Sequence, residues 1–257
     1  MNVFRKGILA ILFAAIVVAT AIIAPASTVD AERAKDVRWR GRVIRIAVSN
    51  SFFAESSAIK SGSDINGALK RSLESWEAVI NVKFEIVESS KQNVSAAGNS
   101  GDGVSLLTIA GTAENTLFLG KTDSGLPAAT RVFYDRKGNI TESDIVLNPT
   151  EQFSTDGTFG IYDLESVLVH EIGHLLGLPH IEFAGATMAD SIQQNGLFGM
   201  ASTRTRSLSE IDASMARVFY GNPLDASECC GVIVGIVTLT NGRPARRAEI
   251  FLESAVS

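Results

Sequence analysis

All three histidines of this 257-residue chain fall within one short stretch, His170-Glu171-Ile172-Gly173-His174-Leu175-Leu176-Gly177-Leu178-Pro179-His180. No other feature restricts the fold as much. On a helix, His170 and His174 stand one turn apart, about 6 Å along the axis and roughly 40° around it, so both imidazoles can approach one ion. Glu171 lies about 100° round from His170, which places its carboxylate beside the ion's open position rather than among its ligands. Gly177 supplies the left-handed backbone that ends a helix, and Leu178-Pro179 stops its continuation, so His180 can return as a third ligand. Three neutral imidazoles leave one catalytic Zn²⁺ a ligand short of tetrahedral, and a water placed there has its pKa lowered towards about 7. The expected chemistry is hydrolysis of a peptide bond, with zinc polarising the carbonyl and Glu171 taking the water's proton before passing it to the leaving amine.

The surrounding pattern reads as a mixed fold. Val43 to Ser49 alternates apolar with other residues and predicts a first strand; Phe84, Ile86 and Val87 mark a second, and Val104 to Ala110 a third. Ala128 to Tyr134 and Ile140 to Leu147 flank the turn Asp135-Arg136-Lys137-Gly138 and predict a hairpin. Ile65, Leu69, Leu73, Trp76 and Ile80 line one face of a helix capped by Ser63 or Asp64. Two further helices are expected, from about Leu164 to Leu176 and from about Leu208 to Phe219.

Composition limits the partners. With 46% hydrophobic and 20% charged residues the chain is globular, and a net charge of −5 offers no basic patch, so no nucleic-acid partner is expected. Arg5 and Lys6 precede an apolar run from Ile8 to Ala24, and Ala24-Pro25-Ala26 follows as a small-residue cleavage site. Residues 1–26 therefore read as a secretory signal; left uncleaved, residues 8–24 would instead tether the chain to a membrane. Either way the remainder is expected outside the cytoplasm, secreted or periplasmic. Residues 27–37 read as a linker. The two cysteines, Cys229 and Cys230, are adjacent and follow the expected catalytic region, so they cannot staple it internally.

At the histidine segment the sequence resembles the metzincins, and further residues resemble the matrixin branch. Met188, in Ala186-Thr187-Met188, follows His180 by eight residues, the matrixin-like spacing for the methionine turn. Leu208-Ser209-Glu210-Ile211-Asp212 running to Phe219-Tyr220-Gly221 resembles the C-terminal helix of matrixin catalytic domains, and Asp212 matches an acidic residue that supports that turn. Trp76 and Phe84 resemble the first helix and second strand. The resemblance covers roughly residues 38–221. It implies an α+β fold with a twisted, mostly parallel five-stranded sheet and three helices, and a zinc endopeptidase acting on protein or peptide substrates. By the same analogy Pro127 to Tyr134 is the edge strand of the cleft, with Ala128, Ala129, Thr130, Arg131 and Val132 binding an extended substrate by β-augmentation. Ala189 to Ser207 would wall the specificity pocket, with Leu197, Phe198 and Met200 either lining it or packing inward.

The sequence departs from that family in several places. Ile181 follows the third histidine where matrixins usually carry serine, and no histidine remains for a second, structural zinc. No cysteine precedes Cys229, so latency through an upstream thiolate is not expected. Asp135, Asn139, Glu142 and Asp144 either ligate Ca²⁺ near the hairpin or are solvated turn residues. After a short linker, 222–230, Gly231 to Leu252 reads as two strands about Asn241-Gly242, resembling the opening of a carboxypeptidase-regulatory-like β-sandwich that residues 231–257 leave incomplete. Oligomeric state has no signature in the sequence.

Overall fold

A computed structural model describes residues 37–98, 100–120, 125–183, 185–196, 203–223, 238–241 and 243. Residues 1–26, read from sequence as a secretory signal, and nearly all of the C-terminal stretch lie outside these residues.

Five strands form one sheet, in the order β2-β1-β3-β5-β4: β1 Val43–Ser49, β2 Lys83–Ser89, β3 Leu106–Thr108, β4 Ala128–Tyr134 and β5 Ile140–Leu147. All neighbours pair in parallel except β4, which runs antiparallel to β5 from Ala128↔Leu147 to Tyr134↔Ile140. This is the expected hairpin, with a register shift between Phe133 and Tyr134. Its turn is closed by Asp135, whose Oδ1 accepts the backbone N–H groups of Lys137 and Asn139. β4 is left as one edge of the sheet.

Helices cover the two faces unequally. α1 is the single turn Asn50–Phe53, α2 spans Ile65–Glu77 and α3 Ala113–Leu119. α4 spans Leu164–Leu175 and α5 Glu210–Tyr220. The three expected helices are α2, α4 and α5; α1 and α3 are additions. α2 turns Leu69, Leu73 and Trp76 into the main core, where they meet Ile44, Ile46 and Val48 of β1 and Leu168 and Ile172 of α4. Every residue of α4 except His174 is buried, which suits a helix enclosed on all sides. The Trp76 indole N–H donates to Val169 O at 2.9 Å, so the largest buried side chain also satisfies its polar atom on α4. β6 (Phe153–Ser154) and β7 (Tyr162–Asp163) pair in parallel ahead of α4, and Asp163 caps that helix by accepting Ser166 N–H at 2.9 Å.

The opposite face of the sheet carries a smaller core of Ala47, Val94, Leu106, Leu119 and Val146. Here the loop after β2 is held by buried carboxylates. Asp144 accepts the N–H groups of Ser95 and Leu106 at 2.8 and 2.9 Å, and Glu142 accepts that of Gly103 at 2.5 Å. Burial pushes the Asp144 carboxyl up to about 7. The four oxygen-bearing residues suggested for calcium therefore fall into two places: Asp135 and Asn139 at the hairpin turn, Glu142 and Asp144 beneath the loop. They do not converge on one point.

α4 ends in a Schellman motif. Gly177 N–H donates to His174 O at 2.8 Å and Leu178 N–H to Gly173 O at 3.0 Å, with Gly177 at φ +89°. Glycine is required here twice over, because a Cβ would also lie 2.1 Å from the carbonyl oxygen of Val37. Val37, read from sequence as the end of a linker, thus packs against the turn that delivers His180. Two free carbonyls at this helix end are capped from elsewhere: Leu175 O accepts the Trp39 indole at 2.9 Å and Leu176 O the Tyr220 hydroxyl at 2.5 Å.

Candidate active site

α4 places His170, Glu171 and His174, and the chain reversal at Gly177 brings back His180. The three Nε2 atoms face one another at 3.0 Å (His170 to His174), 3.0 Å (His174 to His180) and 3.3 Å (His170 to His180). His170 Nδ1 meets Thr187 O at 2.7 Å and His174 Nδ1 meets Leu178 O at 2.8 Å. A carbonyl only accepts, so in both rings Nδ1 carries the hydrogen and Nε2 the lone pair. Burial pushes the pKa of His170 down to about 3 and that of His174 to about 4, which keeps both rings neutral.

Neutral imidazoles directing lone pairs at each other from 3.0 Å repel, and a shared cation removes that repulsion. The spacing suits zinc, since nitrogens about 2.0–2.1 Å from a tetrahedral Zn²⁺ are about 3.3 Å apart. Among the described residues, these histidines are the one group of three or more His, Cys, Asp or Glu side chains close enough to hold a metal ion.

The support beneath the triad runs through the turn at residues 186–189. Asp212, fully buried in the first turn of α5, accepts Thr187 N–H at 2.8 Å through Oδ2 and Met188 N–H at 3.0 Å through Oδ1. It also accepts the backbone N–H and hydroxyl of Ser209, so one carboxylate ties the α5 cap to the turn. The turn in turn presents Thr187 O to His170. Ile181 N–H donates to Met188 O at 2.7 Å, joining the segment after His180 to the same turn. The fully buried Met188 lies against Gly173, where a Cβ would sit 2.2 Å from the methionine sulfur and 2.9 Å from Trp76. The residue before His174 must therefore be glycine for the methionine to approach the helix.

Glu171 is buried at 3% exposure but lines a cleft of about 620 Å³. Its Oε2 accepts the Thr130 hydroxyl at 2.5 Å. Burial pushes its carboxyl up to about 7, against the lowering effect of that hydrogen bond. The three histidines, Gly177, Ala128, Ala129, Thr130 and Val132 share this cleft, as do Leu126, Pro127 and Tyr134. Arg131 does not. Its side chain turns to the opposite face of the sheet, donates to Ser95 O at 2.8 Å and lies 4.2 Å over the Phe118 ring, leaving only its main chain on the cleft edge.

A second cavity of about 330 Å³ opens beside His170, walled by Ile181, Ala186, Ala189 and Ile192 together with Ser166, Thr187, Gln193 and Thr205. Leu197, Phe198 and Met200, named from sequence for this wall, lie outside the described residues.

A family model of the matrixins matches residues 38–221, well over half of the chain. The chain belongs to the matrixin family. It is 27% identical to Metalloendoproteinase 1 of Glycine max over 191 residues, 72% of this chain and 54% of that protein. It is 26% identical to Metalloendoproteinase 1-MMP of Arabidopsis thaliana over 160 residues, 61% of this chain and 39% of that protein. The chain thus spans about half or less of the length of these relatives.

Two groups of this matrixin site escape a sequence reading. The Thr187 carbonyl that orients His170 is a backbone atom and carries no residue signature. Thr130 lies on the strand expected at the cleft, but the partner of its hydroxyl is 41 positions away on α4.

Proposed function

We propose that this matrixin is an exported, zinc-dependent endopeptidase. The observation that carries the reading is the convergence of three histidine Nε2 atoms within 3.3 Å, beside a buried glutamate in an open cleft. His170, His174 and His180 hold the ion, and the carbonyls of Thr187 and Leu178 fix the rings of the first two. When bound, the ion supplies Lewis-acid polarisation of the scissile carbonyl and makes a water acidic enough to react near neutral pH.

The chain's own groups do the rest. Glu171 takes the proton from the attacking water on one carboxylate oxygen and hands it to the departing amine nitrogen, so it ends the cycle ionised as it began. β4 binds the substrate as an added antiparallel or parallel strand, because among the described residues the outer edge of this strand pairs with no other strand. Main-chain pairing along Ala128 to Val132 needs no particular substrate side chain, and the cavity beside His170 receives one of them. Met188 and Asp212 act as support for the site and Gly177 as the turn that returns His180.

Export rests on the sequence of residues 1–26, read as a secretory signal, and among the described residues no helix is long and apolar enough to cross a membrane. Residues 38–221 form the catalytic domain in this reading, and 231–257 belong to a separate β-module.

Purified protein should cut unfolded proteins, and peptides blocked at both termini, at internal bonds. Release of terminal residues alone, or no cleavage of a broad set of blocked peptides in the presence of zinc, would contradict the assignment.

A further inference from the structure

We infer that Thr130 is a positioning residue for Glu171, holding the carboxylate in the rotamer that serves the water; the inference rests on the reading of Glu171 as general base. Thr130 Oγ1 donates to Glu171 Oε2 at 2.5 Å and lies 3.3 Å from the Glu171 carbonyl oxygen. A hydroxyl has one proton, and the shorter contact to the charged acceptor takes it. Oε2 is thereby committed to β4, and Oε1 is the oxygen left to receive a proton from the cleft.

The arrangement is built rather than incidental. A glutamate has three rotatable side-chain bonds, and the helix fixes none of them beyond the first. Threonine, β-branched and on a strand, has a restricted χ1 and offers its hydroxyl from a defined point. That point is set by the hairpin, where Thr130 pairs with Ile145, itself 1% exposed in the main core. Ala128 and Val132, the neighbours of Thr130 on its face of β4, carry no polar side-chain atom, and the side-chain bond from β4 to the carboxylate comes from Thr130. The side chain that a substrate-strand role would direct at the peptide is therefore turned to the catalytic carboxylate instead.

The test compares Thr130→Val, Thr130→Ala, Thr130→Ser and Glu171→Gln with wild type in steady-state cleavage of one blocked peptide, with zinc content and melting temperature measured for each. Removing the hydroxyl should lower kcat about ten- to hundredfold, the worth of a charge-assisted hydrogen bond, with KM within about twofold. Valine keeps the volume and alanine relieves any crowding, so two hydroxyl-free variants guard against one that fails to fold. Thr130→Ser should stay within about threefold of wild type, because it restores the donor. Wild-type kcat in Thr130→Val or Thr130→Ala beside an inactive Glu171→Gln would overturn the inference while leaving the general base in place. So would a loss confined to KM, which marks a substrate contact, or a serine variant as slow as the valine one, which marks packing. Wild-type activity in Glu171→Gln would remove the general-base reading itself, and this inference with it.

Discussion

Glu171→Gln is expected to lower kcat/KM by about 10²–10⁴-fold while zinc stays bound and the fold stays intact. The substitution preserves shape. Glutamine fills the same space at a site only 3% exposed, and its amide oxygen can still accept the Thr130 hydroxyl at the position Oε2 occupies. What it cannot do is take a proton from water and release it to an amine, since the amide is neither basic nor acidic near neutral pH. The histidine triad should be undisturbed, because its rings are held by main-chain carbonyls rather than by the Glu171 side chain: His170 Nδ1 meets Thr187 O and His174 Nδ1 meets Leu178 O. Steady-state kinetics with metal analysis of the same sample separates the two effects. A variant that cleaves at the wild-type rate would remove Glu171 from the chemistry; one that loses zinc as well would make it part of the site's support.

Asp212→Ala should have the largest effect on stability, about 3–5 kcal/mol, because four donors lose their acceptor together. Thr187 N–H, Met188 N–H, Ser209 N–H and the Ser209 hydroxyl all end on this carboxylate, which has no exposure to solvent that could replace it with water. An orphaned buried donor costs about 1–3 kcal/mol, so even partial relaxation of the turn leaves a large deficit. In a domain of this size that corresponds to a fall in melting temperature of roughly 10–15 °C. The loss should reach the metal too, because the turn that Asp212 holds presents Thr187 O to His170; zinc affinity is expected to drop about 10–100-fold. Thermal melts of zinc-free and zinc-loaded protein measure both consequences. Stability within about 1 kcal/mol of wild type would show that the turn does not depend on this carboxylate.

Much of this architecture was legible in the residues, for reasons that differ between elements. β1, β4 and β5 begin and end where their patterns do, because alternating apolar residues run up to turn-forming ones: β4 and β5 meet at Asp135-Arg136-Lys137-Gly138, whose Asp135 then closes the turn. α2 announced itself by a stripe from Ile65 to Ile80, although the helix proper stops at Glu77 and Ile80 packs from the turn beyond. α1 has a single turn, too short to show any period. α3 shows little apolar period, because Leu117 in its middle is 83% exposed; Thr112, which accepts Asn115 N–H, and Gly120 at φ +81° are its markers in the sequence.

The site divides along a similar line. The histidine triad is a matter of spacing within one helix and one turn, and such local geometry survives in the sequence. Contacts between distant segments do not. Alternation along β4 could have warned that Arg131 points away from Thr130, but which of the two faces the cleft depends on where α4 packs. The suggested calcium residues failed to converge for the same reason, Glu142 and Asp144 being drawn under the loop by the amides of Ser95, Gly103 and Leu106.

One zinc ion held by His170, His174 and His180 is what the proposed chemistry depends on. Diffraction data collected on either side of the zinc absorption edge, from crystals grown with zinc present, test it most directly. One anomalous peak per chain is expected, about 2.0–2.1 Å from each of the three Nε2 atoms. A histidine triad without such a peak, in crystals whose solution contains zinc, would contradict it, as would a peak ligated by any other set of residues.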